Sequence, residues 1–297
     1  MIDYGELKKG GFMRQKQEGK FSLRLGITGG NVKSEQLAVI SAVSEKYGKG
    51  YIHLTSRQSI EIPYIDYADI EAVKSALAEG GVYPGASGPR VRTITACQGN
   101  AICRNGCIET QRLAEELRAR YYGRDLPHKF KIGVIGCANN CLKAEDNDIG
   151  IKGGIRPKWE PGSCLYCGKC TRLCRGCAIS VSEGAVIIDA AKCLHCGICV
   201  RTCPTGSLEG TEGYIVSFGG TFGNNIAQGE VIIPFIEDRE RLFMICDAAL
   251  KFFEDNANTG ERFRQTIERT GAEKFRHVIL EASLCSSLTV VGSECPE

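Results

Sequence analysis

Apolar positions change period several times along the chain, and each change marks an element. Phe21, Leu23, Leu25 and Ile27 alternate with other residues, the period-two pattern of a half-buried strand. After the Gly29-Gly30 turn, Leu37, Ile40, Val43 and Tyr47 fall on one face of a helix that Gly48 closes. Tyr51 to Thr55 and Ser59 to Ile65 are rich in β-formers, and Ile70, Val73 and Leu77 mark a second helix stopped by Gly80-Gly81. This β-α-β-β-α order predicts, over residues 1–82, a small α+β unit with two helices on one face of an antiparallel sheet.

From Val91 to Ala96 the chain predicts a strand that delivers Cys97 into a turn. Leu113, Leu117 and Tyr121 then define a helix face, and Phe130 to Ile135 reads as a strand delivering Cys137. The cysteines are therefore hung from the ends of regular elements. Further on, Tyr214 to Phe218 and Val231 to Ile236 read as strands separated by the glycine-rich segment Gly219 to Asn225. A helix from about Arg239 to Asn256 follows, with two shorter ones around Phe263 and Phe275. The glycine segment reads either as a lid or as a plain loop between strands.

Seventeen cysteines in 297 residues change the picture. Secreted disulfide scaffolds are short and carry a signal peptide, whereas Met1 to Phe21 is polar and charged, so the cysteines point to metal in a reducing cytoplasm. Cys97 and Cys103 are spaced Cys-x5-Cys, and Cys137 and Cys141 Cys-x3-Cys. Four thiolates suit a 4Fe-4S cluster, one to each iron. Four cysteines can also hold zinc, but zinc sites usually bring Cys-x2-Cys knuckles, which neither pair has. Cys107 belongs to neither pattern.

Beyond a stretch at Arg156 to Gly162 that reads as a linker comes Cys164-x2-Cys167-x2-Cys170-x3-Cys174, and then Cys193-x2-Cys196-x2-Cys199-x3-Cys203-Pro204. This repeat is the signature of a bacterial-type ferredoxin with two 4Fe-4S clusters, in which the fourth cysteine of each run ligates the other cluster. Cys164, Cys167, Cys170 and Cys203 are thus assigned to one cluster, and Cys193, Cys196, Cys199 and Cys174 to the other. Arg175 stands where the pattern expects proline. Cys177 rivals Cys174, although register with the second run favours Cys174.

The stretch Thr95 to Cys141 resembles the core of siroheme-dependent sulfite and nitrite reductases, whose motifs read T-A-C-x-G-x3-C and G-C-x-N-x-C. The resemblance implies a siroheme beside the 4Fe-4S cluster, with Cys141 bridging the two. It also assigns the anion site. Thr55-Ser56-Arg57-Gln58 resembles the family's T-x-R-Q, Arg92-Thr93-Ile94 its R-N-V or R-N-I, and Leu126 to Lys131 its L-P-x-K-x-K. Arg57, Arg92, Lys129 and Lys131 become the expected clamp, with Arg90 a rival to Arg92 because Thr93 replaces the expected Asn. His53 and His128 lie near these motifs and are read as structural or solvent-facing.

The implied fold is α+β: a ferredoxin-like half-domain over 1–82, then a siroheme and 4Fe-4S domain in two parts, 83–157 and 212–297. An inserted two-cluster ferredoxin domain, 158–211, separates those parts. The whole is similar to the catalytic subunit of anaerobic sulfite reductases. The implied activity is six-electron reduction of sulfite to sulfide, with siroheme and three 4Fe-4S clusters. The alternatives are nitrite reduction to ammonia on the same scaffold and a non-catalytic iron-sulfur electron-transfer subunit. Lys131 favours sulfite, since the family's assimilatory nitrite enzymes tend to carry Asn there.

A net charge of +2 argues against a nucleic-acid partner, and no apolar run approaches the length of a membrane span. No dinucleotide fingerprint follows a strand. Electrons are therefore expected from partner subunits of iron-sulfur and flavin/NADH type or from a ferredoxin. A homodimer core is expected as well, because larger sulfite reductases carry two homologous halves where this chain has one. Cys177, Cys246, Cys285 and Cys295 receive no role.

Overall fold

The computed structural model describes residues 2–284, so Cys285 and Cys295 lie outside the described residues. Helix α1 (Tyr4–Lys9) starts at Asp3, whose carboxylate accepts from the N–H groups of Gly5 and Glu6, and ends on Lys8 and Lys9. Charges so placed match the helix dipole at both ends. Then come β1 (Phe12–Arg14), β2 (Lys20–Arg24), α2 (Ser34–Tyr47), β3 (His53–Leu54), β4 (Ile60–Asp66) and α3 (Ile70–Glu79). The strands form an antiparallel sheet in the order β1-β2-β4-β3. Ile40 and Val43 of α2 and Val73 and Leu77 of α3 pack with Leu23, Ile62 and Ile65 of the sheet in one core. The α+β unit thus has the expected order, with α1 and β1 added in front. The strand expected from Phe21 to Ile27 stops, as β2, at Arg24, and Leu25 bridges Pro84 instead.

The second sheet is built from β5 (Thr95–Ala96), β6 (Ile132–Ile135), β7 (Ile149–Trp159), β10 (Leu208–Phe218) and β11 (Glu230–Val231), in the order β11-β10-β7-β6-β5. β5, β6 and β7 are parallel, while β10 runs antiparallel to β7 along its whole length, Leu208 opposite Trp159 and Phe218 opposite Ile149. Helix α4 (Thr110–Tyr121) lies between β5 and β6 in the chain and buries Leu113, Ala114, Leu117 and Tyr121. Helices α7 (Arg239–Asn256), α8 (Phe263–Thr270) and α9 (Ala272–Leu284) complete the core. There Phe263 packs at ring-centre distances of 5.1 Å from Phe130, 5.5 Å from Phe253 and 5.4 Å from Phe275.

Three expectations are corrected. The strand from Val91 to Ala96 is reduced to β5 and an isolated bridge between Val91 and Phe130. The strand from Val231 to Ile236 is reduced to β11 and a bridge from Ile236 to Tyr214. The stretch from Arg156 is not a linker, because it continues β7 to Trp159. Pro157 is tolerated there opposite Gly210, where a Cβ would lie only 2.3 Å from Ile155 Cγ2.

Between β7 and β10 the chain forms a small lobe: α5 (Lys169–Leu173), the antiparallel hairpin of β8 (Ile179–Ser182) and β9 (Ala185–Ile188), and α6 (Ile198–Thr202). Its core is Ile179, Val186, Cys199 and Leu208, with Cys164, Cys170, Cys174 and Cys203 packed around them. No helix among the described residues is long and apolar enough to cross a membrane.

Candidate functional site

Parallel strands β5 and β6 place Cys97 and Cys137 at one edge of the sheet, just past their carboxyl ends, which is where open α/β sheets hold ligands. The Cys97 N–H donates to the Val134 carbonyl at 3.1 Å. The Gly136 N–H donates to Cys97 Sγ at 3.0 Å, and such bonds to sulfur tune an iron-sulfur site. Gly99 has a φ of +63°, and a Cβ there would lie 2.7 Å from the Thr110 nitrogen, so the tight turn after Cys97 requires glycine. The Cys141 loop is held from the side. Asn140 accepts from the Ala144 N–H at 2.8 Å and donates to Glu145, which in turn pairs with Lys152 at 2.6 Å.

Burial pushes the Cys137 thiol up, and Cys103, Cys97 and Cys141 each add to the rise, which makes the four thiols electrostatic neighbours. Yet among the described residues no group of three or more His, Cys, Asp or Glu converges closely enough for a single metal ion. Four neighbouring thiols are the donor set a 4Fe-4S cluster takes, one to each iron.

The same holds in the lobe. Cys199 is raised to about 11 by burial, with Cys196, Cys193 and Cys174 contributing. Cys174 is thus a neighbour of the second run, and it accepts from the Ala178 N–H at 3.2 Å. Cys164, Cys167, Cys170 and Cys203 line one cleft. Exposed Cys177 follows in the left-handed conformation.

The cations gather elsewhere. Phe130 is buried, and its neighbours Lys129 and Lys131 flank it in the segment that leads into β6. Arg57 Nη2 donates to the Thr93 carbonyl at 2.9 Å and Nη1 to Asn147 Oδ1 at 3.3 Å. Gln58, next in the motif, pairs its amide with both backbone groups of Ala96 at 2.9 Å. It thereby clamps the first sheet to the strand that carries Cys97. The Arg92 N–H donates to Phe130 at 2.8 Å, which sets Arg92 beside the lysines. Arg90 instead pairs with Asp125 at 2.6 Å.

Sequence reasoning missed two members. Arg262, just before α8, donates to both oxygens of fully buried Asp148, at 3.0 and 3.1 Å. Neither lies in a recognisable motif, and their 114-residue separation leaves no local signal.

This crowding has a measurable effect. Desolvation lowers Arg57 and Arg92 to about 10 each, and desolvation with the charges of Arg57 and Arg262 lowers Lys131 to about 8. Lys129 and His128 are lowered by burial and by Arg262. The Nε atoms of Arg57, Arg92 and Arg262 and the hydroxyl of Ser87 are buried without a hydrogen-bond partner. A cleft lined by Arg24, Thr55, Arg57, Ser87 and Arg92 opens beside Arg57 and Arg92. Guanidinium groups at a positive cleft can bind an anion of several oxygens.

Lys131 and Cys137 do not meet: the first precedes β6 and the second follows it, so about 20 Å of extended chain separates them. The glycine segment after β10 covers the stretch behind Cys141, since a Cβ on Gly220 would lie 1.9 Å from the Glu145 carbonyl oxygen.

Two family models match the chain. The one described as nitrite and sulphite reductase 4Fe-4S domain matches residues 87–285, and the nitrite/sulfite reductase ferredoxin-like half domain matches residues 13–80. A coenzyme F420-dependent sulfite reductase of Methanocaldococcus jannaschii is 33% identical over 94% of this chain and 44% of its own length. A subunit of the anaerobic sulfite reductase of Salmonella typhimurium is 32% identical over 56% of this chain and 53% of its own. The chain thus spans about half the length of these relatives. The crystal structure of dissimilatory sulfite reductase I superposes with a TM-score of 0.71 at 20% identity, over 94% of this chain and 72% of that one. That similarity is one of fold.

Replacing Arg262 by Met leaves the Asp148 carboxylate buried without its charge partner. The expected cost is about 3–5 kcal/mol, read as a lower denaturant midpoint, and the double variant with Asp148→Asn recovers a large part of it.

Proposed function

The chain belongs to the nitrite and sulphite reductase family, and from that premise we propose that it is a catalytic unit for the six-electron reduction of sulfite to sulfide. The observation that carries this reading is the buried cation group with three guanidinium nitrogens lacking acceptors. A protein that only carried electrons has no use for desolvated charge of that density. In this reading Arg57 and Arg92 fork onto sulfite oxygens. Lys129 and Lys131 neutralise the anion and supply protons as S–O bonds break. Arg262 and Asp148 hold the lysine segment in place.

The cysteines fit the cofactors such chemistry needs. Cys97, Cys103, Cys137 and Cys141 would hold one 4Fe-4S cluster, and Cys141, with its exposed side chain, would also ligate the iron of a siroheme. Bound there, the siroheme would supply electrons to the sulfur atom and polarise it. The lobe of 158–211 would hold two further clusters, one on Cys164, Cys167, Cys170 and Cys203, the other on Cys174, Cys193, Cys196 and Cys199. Electrons would reach it from an iron-sulfur or flavin subunit or a ferredoxin. The distance along β6 between Lys131 and Cys137 supports a site shared in a two-fold homodimer, where the cations of one chain face the cofactor held through Cys141 of its mate.

Three outcomes are expected. Cys141→Ser abolishes sulfite-dependent oxidation of a reduced dye while the lobe's clusters remain reducible by their electron resonance signals, and full turnover by this variant would remove Cys141 from its role. Lys131 carries its charge below about 8 and loses it above, so sulfite affinity falls as pH rises through that value. That limb is absent in Lys131→Arg, and an unchanged limb would point to another group. Mixed dimers of inactive Lys129→Ala and inactive Cys141→Ser chains regain activity, because one of the two shared sites is then intact; a dead mixture with verified subunit exchange would place each site within one chain.

A further inference from the structure

Cys107 fits neither cysteine pattern, and Arg175 replaces the proline expected after Cys174. Both lie at one junction. Arg175 Nη1 donates to Asn139 Oδ1 at 3.0 Å, reaching from the lobe into the loop between Cys137 and Cys141. Arg201, on α6 between Cys199 and Cys203, donates through Nη2 to the Cys196 carbonyl at 2.7 Å and through Nη1 to Cys107 Sγ at 3.7 Å. Cys107 is buried, and its N–H donates to the Gly136 carbonyl at 2.7 Å. Through Arg201 on one hand and the Gly136 carbonyl on the other, Cys107 is tied to a loop of each set.

Strand β7 runs between the sets, and its glycines let them approach. A Cβ on Gly153 would lie 2.5 Å from Ile108 Cγ1 and 2.7 Å from the Gly136 carbonyl oxygen, while one on Gly154 would lie 3.0 Å from His195 Cβ. Successive strand residues face opposite sides. The core loop and the Cys193 to Cys199 run are thus pressed onto opposite faces of one strand where it has no side chains. The Ile155 N–H, donating to the His195 carbonyl at 2.7 Å, fixes the second contact.

The other set faces outward. Cys167 is exposed, and Arg172, which takes the place of Arg201 in the first run, donates to the Cys167 carbonyl at 3.1 Å, its side chain's one hydrogen bond among the described residues.

We propose that the set Cys174, Cys193, Cys196 and Cys199 is the immediate electron donor to the set Cys97, Cys103, Cys137 and Cys141, and that Arg175, Arg201 and Cys107 are positioning residues for that transfer. This rests on the reading of both sets as 4Fe-4S sites. One electron leaves the lobe site, which is oxidised by one unit, and enters the core site, which is reduced by one. No bond breaks and no proton moves, and the lobe site is refilled through the outer set from the external donor. The two guanidinium groups offset thiolate charge in the gap, and net charge and hydrogen bonds to sulfur set the potentials of such sites.

The test uses the loaded protein, reduced in steps and followed by electron resonance and rapid mixing. Arg201→Gln and Arg175→Gln are each expected to slow electron arrival at the core site by about tenfold or more, the usual cost of losing an outer partner of a metal site. They are also expected to lower the reduction potential of the lobe site that faces it. Arg172→Gln, the same change on the outer run, leaves both quantities unaltered. Equal behaviour of the three variants overturns the proposal. If Arg201→Gln loses iron, Cys107→Ala decides, since that residue lies outside every ligand set and a wild-type transfer rate in it overturns the proposal equally. Failure of the underlying reading looks different: the unaltered protein would then give no iron-sulfur signals at all.

Discussion

A single buried carboxylate, Asp148, makes the cation group possible. It has no exposed surface, and desolvation pushes its carboxyl above the usual range against the opposing pull of Arg262 and the Lys131 N–H. It accepts from the Lys131 N–H at 2.8 Å and from Arg262, while its own carbonyl accepts from Gly219 at 2.9 Å. One residue thereby joins the lysine segment, the start of β7, the end of β10 and the approach to α8. Its negative charge favours the charged forms of Arg57, Lys129 and Lys131 against their mutual repulsion and desolvation. Breaking a buried pair leaves the full desolvation cost of the survivor, so this anchor and the positive cleft stand or fall together.

The crossover from β6 to β7 gives the sheet its two chemistries. A parallel connection must climb over the sheet, and here it does so with a short loop instead of a long helix, carrying Cys137 and Cys141 on the way out and Asn147 and Asp148 on the way back. Glycines let it lie flat on the strands beneath. A Cβ on Gly150 would stand 2.1 Å from the Ala144 carbonyl oxygen, and one on Gly133 2.6 Å from the Asn147 amide. Asn147 then donates to the Lys143 and Ala144 carbonyls and accepts from Arg57. The loop that ends the thiol set and the arginine of the cation set are therefore parts of one hydrogen-bonded unit.

Much of this was legible locally. The apolar periods of α2, α3, α4 and α7 are written in a few adjacent turns. Cysteine spacing declares chemistry because ligand geometry constrains residues close in the chain. What escaped was long-range. Pro157, Trp159 and Pro161 give residues 156–162 the composition of a linker, and only pairing with β10, some fifty residues on, makes the first part a strand. Arg262 reads as one more surface charge until the fold lays it against Asp148. The pairing of Arg90 with Asp125, and the nearness of Cys174 to Cys193, Cys196 and Cys199, are likewise contacts that no local pattern shows.

The lobe poses a stability problem that its thiols bear on. Four buried residues, one of them a cysteine, make up its apolar core, and a core so small seldom sustains a fold unaided. Its thiols sit in unequal surroundings. Cys203, opposed by desolvation but favoured together by the N–H groups of Thr205, Leu208 and Ser207, is lowered to about 7, whereas buried Cys199 is raised to about 11. In the proposed loading a metal would have to displace the proton from the second at a real cost, and the deprotonated sulfur would then be tied to a site that only the folded lobe provides. Loading and folding would thus be one equilibrium in this segment. The long β7–β10 ribbon, which is hydrogen-bonded along its whole length, can hold the two ends of the lobe together before that equilibrium is reached.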